Sequence, residues 1–100
     1  MIDDDQEALA VVRLQATSYP LFAGKQARIG RAADNEIVLN DPKVSRYHAV
    51  IEWNGSGFLL RDLGSTNGTF VNGAQVEGPL LLRPGDELAI GDGVFLVEAR

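Results

Sequence analysis

The punctuation of this chain constrains its fold more than any other feature. Asn54-Gly55, Asn67-Gly68, Asn72-Gly73, Pro84-Gly85-Asp86 and Gly91-Asp92-Gly93 interrupt the second half at short intervals. Each supplies residues that adopt positive φ or a proline-set turn. No window sustains a helical apolar period over several turns. The segments 9–15, 27–30, 36–39, 48–53, 58–62, 69–71, 80–82, 87–90 and 94–98 read instead as strands. Within 48–53, alternation sets Ala49, Ile51 and Trp53 on one face and Val50 and Glu52 on the other. Phe58 and Leu60 alternate with Leu59 and Arg61 in the same way. The predicted fold class is therefore all-β: two antiparallel sheets packed as a β-sandwich, with loops gathered at its ends, where function on such a scaffold resides.

Length and charge narrow the possibilities further. The 100 residues suffice for one domain, expected over 8–100, preceded by an acidic, flexible tail over 1–7. No internal repeat or second boundary is visible. The chain has no cysteine and one histidine, so thiolate chemistry and clustered His/Cys metal sites are excluded. Its net charge of −5 disfavours nucleic acid as a partner. Apolar runs such as 8–12 are too short for membrane insertion, and a monomeric, cytoplasmic domain is the default expectation. The basic residues are unevenly placed: Lys25, Arg28, Arg31, Lys43 and Arg46 fall close together. A locally positive surface on an acidic body suits a small anion.

Three segments carry the candidate chemistry. Arg28-Ile29-Gly30-Arg31 precedes Asp34-Asn35-Glu36-Ile37-Val38-Leu39; Val44-Ser45-Arg46-Tyr47-His48-Ala49 follows; Asp62-Leu63-Gly64-Ser65-Thr66-Asn67-Gly68-Thr69-Phe70-Val71-Asn72-Gly73 comes third. Arg31, Ser45 and Arg46 offer a guanidinium fork, a hydroxyl with a backbone N–H, and a second cation, the donors a phosphate monoester requires. In isolation each has a plainer reading. Arginines are mostly solvated, Ser45 could serve a turn, and both Asn-Gly pairs are common hairpin turns. His48 opens a strand without a partner cluster, which makes it structural rather than catalytic or metal-binding. Asp62 and Asp86 read as turn-securing, and Trp53 as core. Lys25, Arg28 and Lys43 are weaker candidates for framing an anion electrostatically.

The ordered set Gly30-Arg31, Ser45-x-x-His48 and Asn67-Gly68 resembles the forkhead-associated (FHA) domain family, and the similarity extends over residues 27–98. The resemblance implies an FHA/SMAD-like sandwich of about 11 short strands with binding loops at one end. It also implies phosphothreonine-dependent recognition of a peptide or protein in Ser/Thr kinase signalling, without enzymatic activity, cofactor or metal. On that footing Arg31 and Ser45 would bind the phosphate, Arg46 and Thr66 would assist, and Asn67 would hold the peptide main chain. Gly30, His48 and Gly68 would be structural members of the motifs. Residues 17–25 match the family's first hairpin loosely and carry no strand in this reading. A phosphate-independent interaction module on the same fold is the alternative. An enzyme is disfavoured, because no nucleophile elbow, P-loop or completed dinucleotide fingerprint is present.

Overall fold

Valine, isoleucine, leucine and phenylalanine at alternate positions generate two sheets whose inner faces meet. The computed structural model describes residues 7–100. The expected acidic tail over 1–7 lies, except for Glu7, outside the described residues. In chain order the strands are β1 (Ala10–Leu14), β2 (Thr17–Leu21), β3 (Ala27–Gly30), β4 (Ile37–Val38), β5 (Ala49–Trp53) and β6 (Phe58–Asp62). They continue with β7 (Thr69–Val71), β8 (Ala74–Gln75), β9 (Leu80–Leu81), β10 (Glu87–Ile90) and β11 (Gly93–Ala99). One six-stranded sheet runs β2-β1-β11-β10-β7-β8 and a five-stranded sheet runs β4-β3-β5-β6-β9.

The inward set is continuous across both sheets. Val12, Ile29, Ile51, Leu60, Leu88, Ile90 and Phe95 are essentially fully buried. Their alternation with outward residues is what the period of two demands: Leu88 and Ile90 point in from β10, Phe95 and Val97 from β11. Full burial of one such side chain stabilises by about 1.5 to 3 kcal/mol. Trp53 packs half-buried at the core's edge, its ring 5.1 Å from that of Phe58, in line with a core role.

Three features depart from the sequence reading. The segment 17–25 does contain a strand: β2 pairs with β1 in register from Ala10↔Leu21 to Leu14↔Thr17, through a turn in which Gln15 adopts φ 55°. Nothing in Thr-Ser-Tyr-Pro-Leu announces a strand, because Pro20 lacks an N–H; β2 is an edge strand, where that loss is tolerated. Second, β8 follows Asn72-Gly73 as a two-residue return strand. Third, the five-stranded sheet is mixed. β4 pairs parallel to β3, with Ile29↔Ile37 and Gly30↔Val38, because residues 31–36 fold into a compact loop that brings the chain back in the same direction.

Candidate functional site

Three loops meet beside the ends of β3, β5 and β7: residues 31–36, 39–48 and 63–68. Short strands force the chain to leave the sheets there, and backbone groups that lose their ladder partners bond across the loops instead. Arg31 N–H donates to Ser45 O at 3.0 Å, and Ala32 N–H to Arg46 O at 3.1 Å. Thr66 N–H donates to Ser45 Oγ at 3.2 Å, and Asn67 Nδ2 to Lys43 O at 2.8 Å. The structure thus gathers Arg31, Ser45, Arg46, Thr66 and Asn67 at one end of the sandwich.

Gly30 occupies the seam of this junction. A Cβ there would stand 2.1 Å from Arg46 O, a backbone atom that cannot yield. Close approach of two loops, not positive φ, is what requires glycine at this position.

His48 is fully buried. Its Nδ1 accepts the Ser45 N–H at 3.1 Å, so the ring proton sits on Nε2, which donates to Gly68 O at 2.8 Å. One imidazole therefore spans two of the three loops. This bond corrects one expectation: the Ser45 N–H is spent on His48 and is not an available donor. Among the described residues the neighbouring Arg46 N–H has no backbone acceptor outside the strand ladders. The Ser45 hydroxyl, by accepting from Thr66 N–H, keeps its own proton free to donate outward.

The third loop is built on Asp62. Its carboxylate accepts from Gly64 N–H and Ser65 N–H, each at 2.9 Å, from Ser65 Oγ, and from Thr69 Oγ1 at 2.7 Å. Burial opposes ionisation, but these hydrogen bonds together outweigh it and hold the carboxyl below its ordinary range. Gly68 N–H in turn donates to Ser65 Oγ at 3.0 Å. Asp62 and Asp86 both secure turns as expected; Asp86 receives Arg83 N–H at 2.8 Å.

The cations divide into two groups. Arg28 Nε lies 3.1 Å from Glu36, and Lys43 Nζ lies 2.8 Å from Asp92. The Arg28 guanidinium holds the Glu36 carboxyl down at about 2 despite the opposing effect of desolvation. Lys25 stands 5.5 Å over the Phe22 ring. These three are committed elsewhere. Arg31 and Arg46, by contrast, are exposed and form no ion pair among the described residues. Arg31 is anchored through Nε to Val44 O at 2.9 Å, which leaves its terminal guanidinium nitrogens available as donors. The junction therefore presents two unneutralised guanidinium groups, a hydroxyl and an amide, a donor set suited to a small polyanion.

Sequence reasoning missed two supports of this junction. Asp41 accepts Lys43 N–H at 2.9 Å and Asp92 N–H at 2.8 Å, tying the second loop to the β10–β11 turn; these amides hold its carboxyl low. The Asp-x-Lys spacing is the turn signal that could have revealed it. The other is Asn35, whose side-chain amide donates to Ala32 O and Arg46 O. A groove of about 530 Å³ lies elsewhere, between β7–β8 and β9, and none of the sequence-predicted site residues lines it.

Comparison with known proteins gives a consistent picture. The family model described as the FHA domain matches residues 27–91. The transcriptional regulatory protein EmbR of Mycobacterium tuberculosis is 40% identical over 92 residues, covering 90% of this chain and 24% of EmbR. The oxoglutarate dehydrogenase inhibitor of Corynebacterium jeikeium is 44% identical over 86 residues, covering 84% of this chain and 59% of that protein. The chain thus spans about a quarter of the length of the first and somewhat over half of the second. The solved structure of Mycobacterium tuberculosis EmbR in complex with a low-affinity phosphopeptide superposes with a TM-score of 0.86 at 37% identity, covering 99% of this chain and 26% of that one.

Proposed function

Since the chain belongs to the FHA domain family, we propose that residues 8–100 form a module that recognises phosphothreonine in a protein or peptide partner, within Ser/Thr kinase signalling. In this proposal the module acts in the cytoplasm as a monomeric domain and catalyses nothing. The observation that carries the reading is the pair of arginines left without carboxylates. Arg28 and Lys43 are neutralised by neighbours, whereas Arg31 and Arg46 flank the Ser45 hydroxyl without a counter-ion among the described residues. EmbR, which this chain resembles, has been solved with a phosphopeptide.

The roles follow from chemistry. The Arg31 guanidinium and the Ser45 hydroxyl contact the phosphate oxygens, and Arg46 and the Thr66 side chain add donors. Asn67 can both donate and accept, which suits it to hold an extended main chain. Charge-assisted hydrogen bonds contribute about 1.5 to 3 kcal/mol each, against about 4 to 15 kcal/mol for association. Three to five of them, together with contacts to the rest of the peptide, leave a complex of micromolar order, about −8 kcal/mol. Threonine is favoured over serine by the γ-methyl, worth roughly 0.8 kcal/mol on burial. Calorimetry against a phosphothreonine peptide library tests the reading: at least one member binds at micromolar Kd and loses that affinity when dephosphorylated. A library in which no member outperforms its unphosphorylated twin rejects it.

A second reading, docking of a partner without phosphate, has one observation in its favour. Leu80 and Leu81 remain 39% and 44% exposed on the lining of the groove between β7–β8 and β9. Partner binding unaffected by Arg31→Ala and Ser45→Ala would select it.

A further inference from the structure

Asn35 lies at the point where the Arg31 loop meets the Ser45 loop, and only 7% of it is exposed. Its Nδ2 donates to Ala32 O at 2.8 Å and to Arg46 O at 2.9 Å. Turning the carboxamide over would set its oxygen against two carbonyl oxygens, so the orientation is dictated by its surroundings. The oxygen pays no such role: Oδ1 is buried without a hydrogen-bond partner. A buried amide that leaves its acceptor unsatisfied is retained for its donors.

Those donors act where the two arginines are spaced. Arg46 O also receives Ala32 N–H at 3.1 Å, and Arg31 N–H reaches Ser45 O at 3.0 Å. The peptide units on both sides of Arg31 are thus fastened to the peptide units on both sides of Arg46. A Cβ at Gly30 would meet Arg46 O and Asn35 Nδ2 together, so the seam has no slack.

We infer that Asn35 is a positioning residue for the anion pocket: its carboxamide staples the Arg31 loop to the Arg46 carbonyl and sets the separation and direction of the two unpaired guanidinium groups. The inference rests on the phosphate-binding reading above for its effect on affinity, but not for its effect on Arg31 itself.

The experiment uses the full chain and a phosphothreonine peptide selected from the library by wild-type binding. Asn35→Ala weakens that peptide about 10-fold or more, measured at a temperature where the variant is folded. In an Arg31→Ala background the same change costs less than about 2-fold, because one of the two guanidinium groups whose separation it sets is gone. Val97→Ala, a core truncation in β11 far in sequence from these loops, lowers Tm and leaves Kd unchanged. The Arg31 Nε–H resonance, held by Val44 O, shifts or broadens in Asn35→Ala. Should Asn35→Ala fold poorly, Asn35→Ser keeps one donor and gives an intermediate loss. Wild-type affinity in either variant, or losses at Asn35 and Arg31 that simply add, would overturn the inference. If the wild-type chain binds no phosphopeptide, the functional reading fails, and the resonance then decides alone: an unchanged Arg31 Nε–H overturns the positioning role, a displaced one sustains it.

Discussion

Asn67-Gly68 and Asn72-Gly73 are the same dipeptide on either side of the three-residue strand β7, and they do different work. At Asn72-Gly73 both residues adopt positive φ, 51° and 86°, which is the conformation of a tight two-residue hairpin turn joining Val71 to Ala74. The Asn72 side chain bonds to the start of β10, donating to Asp86 and accepting Glu87 N–H. At Asn67-Gly68 only the glycine is left-handed, at 88°. Here Asn67 reaches across to Lys43 O, and the Gly68 carbonyl is held by buried His48. One pair is held by the start of β10, the adjacent strand of the same sheet, the other by the 39–48 loop that leads into the facing sheet. The lesson is that a turn signal reports conformation, while what its side chain does depends on which groups the fold brings near it.

The strongest test of this contrast is His48→Ala. It leaves the Gly68 carbonyl and the Ser45 N–H buried without partners, at about 1 to 3 kcal/mol each. Urea unfolding should report a loss of about 3 kcal/mol or more; a loss below about 1 kcal/mol would mean that the Asn67-Gly68 turn does not depend on His48. The two glycines provide the next test. Gly73→Ala meets nothing within 4 Å and suffers only from positive φ, about 1 kcal/mol. Gly68→Ala adds a Cβ 2.9 Å from Gln75 Nε2 and 3.2 Å from Phe70 Cε1, raising the loss to about 2 kcal/mol. Equal losses would erase the distinction.

The asparagines separate affinity from stability. Asn67→Ala should weaken a phosphothreonine peptide about 10-fold, about 1.4 kcal/mol, with stability changed by less than about 0.5 kcal/mol. Asn72→Ala should leave Kd unchanged and lower stability by about 1 kcal/mol, a shift of about 4 to 8 °C in Tm. The reverse pattern in calorimetry and thermal scans would assign the roles the other way round.

Acid titration should have the smallest effect. The folded carboxyl of Asp62 titrates below its ordinary value of 3.8. Its contribution to stability is therefore complete above that value, and is lost as pH falls from there through the lower folded pKa. Replacing Asp62 with asparagine should lower stability at neutral pH, where that contribution is complete, and flatten the stability profile across the acid window; an unchanged slope would detach Asp62 from the third loop. The salt bridge holding Glu36 at about 2 contributes to the same acid limb, but both partners are substantially exposed, so its share is small.

Much of the fold was legible because the core pattern is local. Period-two alternation located the segments holding Ile51, Leu60, Leu88 and Phe95, and the turn dipeptides set their limits. What escaped did so for a stated reason. β2 carries few apolar side chains and a proline, and only its pairing with β1 makes it a strand. β4 is two residues long, and its parallel direction comes from the compact fold of residues 31–36, stitched by Asn35. At the site, motif order singled out the residues that converge, but it assigned the Ser45 N–H to a ligand, whereas the buried imidazole of His48 takes it. The commitment of Arg28 and Lys43 to Glu36 and Asp92 was invisible, since opposite charges are plentiful along 25–46 and spacing alone does not say which ones meet.

The residues in order thus determined an all-β chain, its turns, its inward faces and the set of donors from which an anion site could be made. Those properties depend on neighbours a few positions apart. Tertiary structure decided which arginines keep an unpaired charge, which amide remains free, and how far apart the donors stand. These depend on loop residues 13 to 21 positions apart that approach one another only after two sheets have closed on a common core.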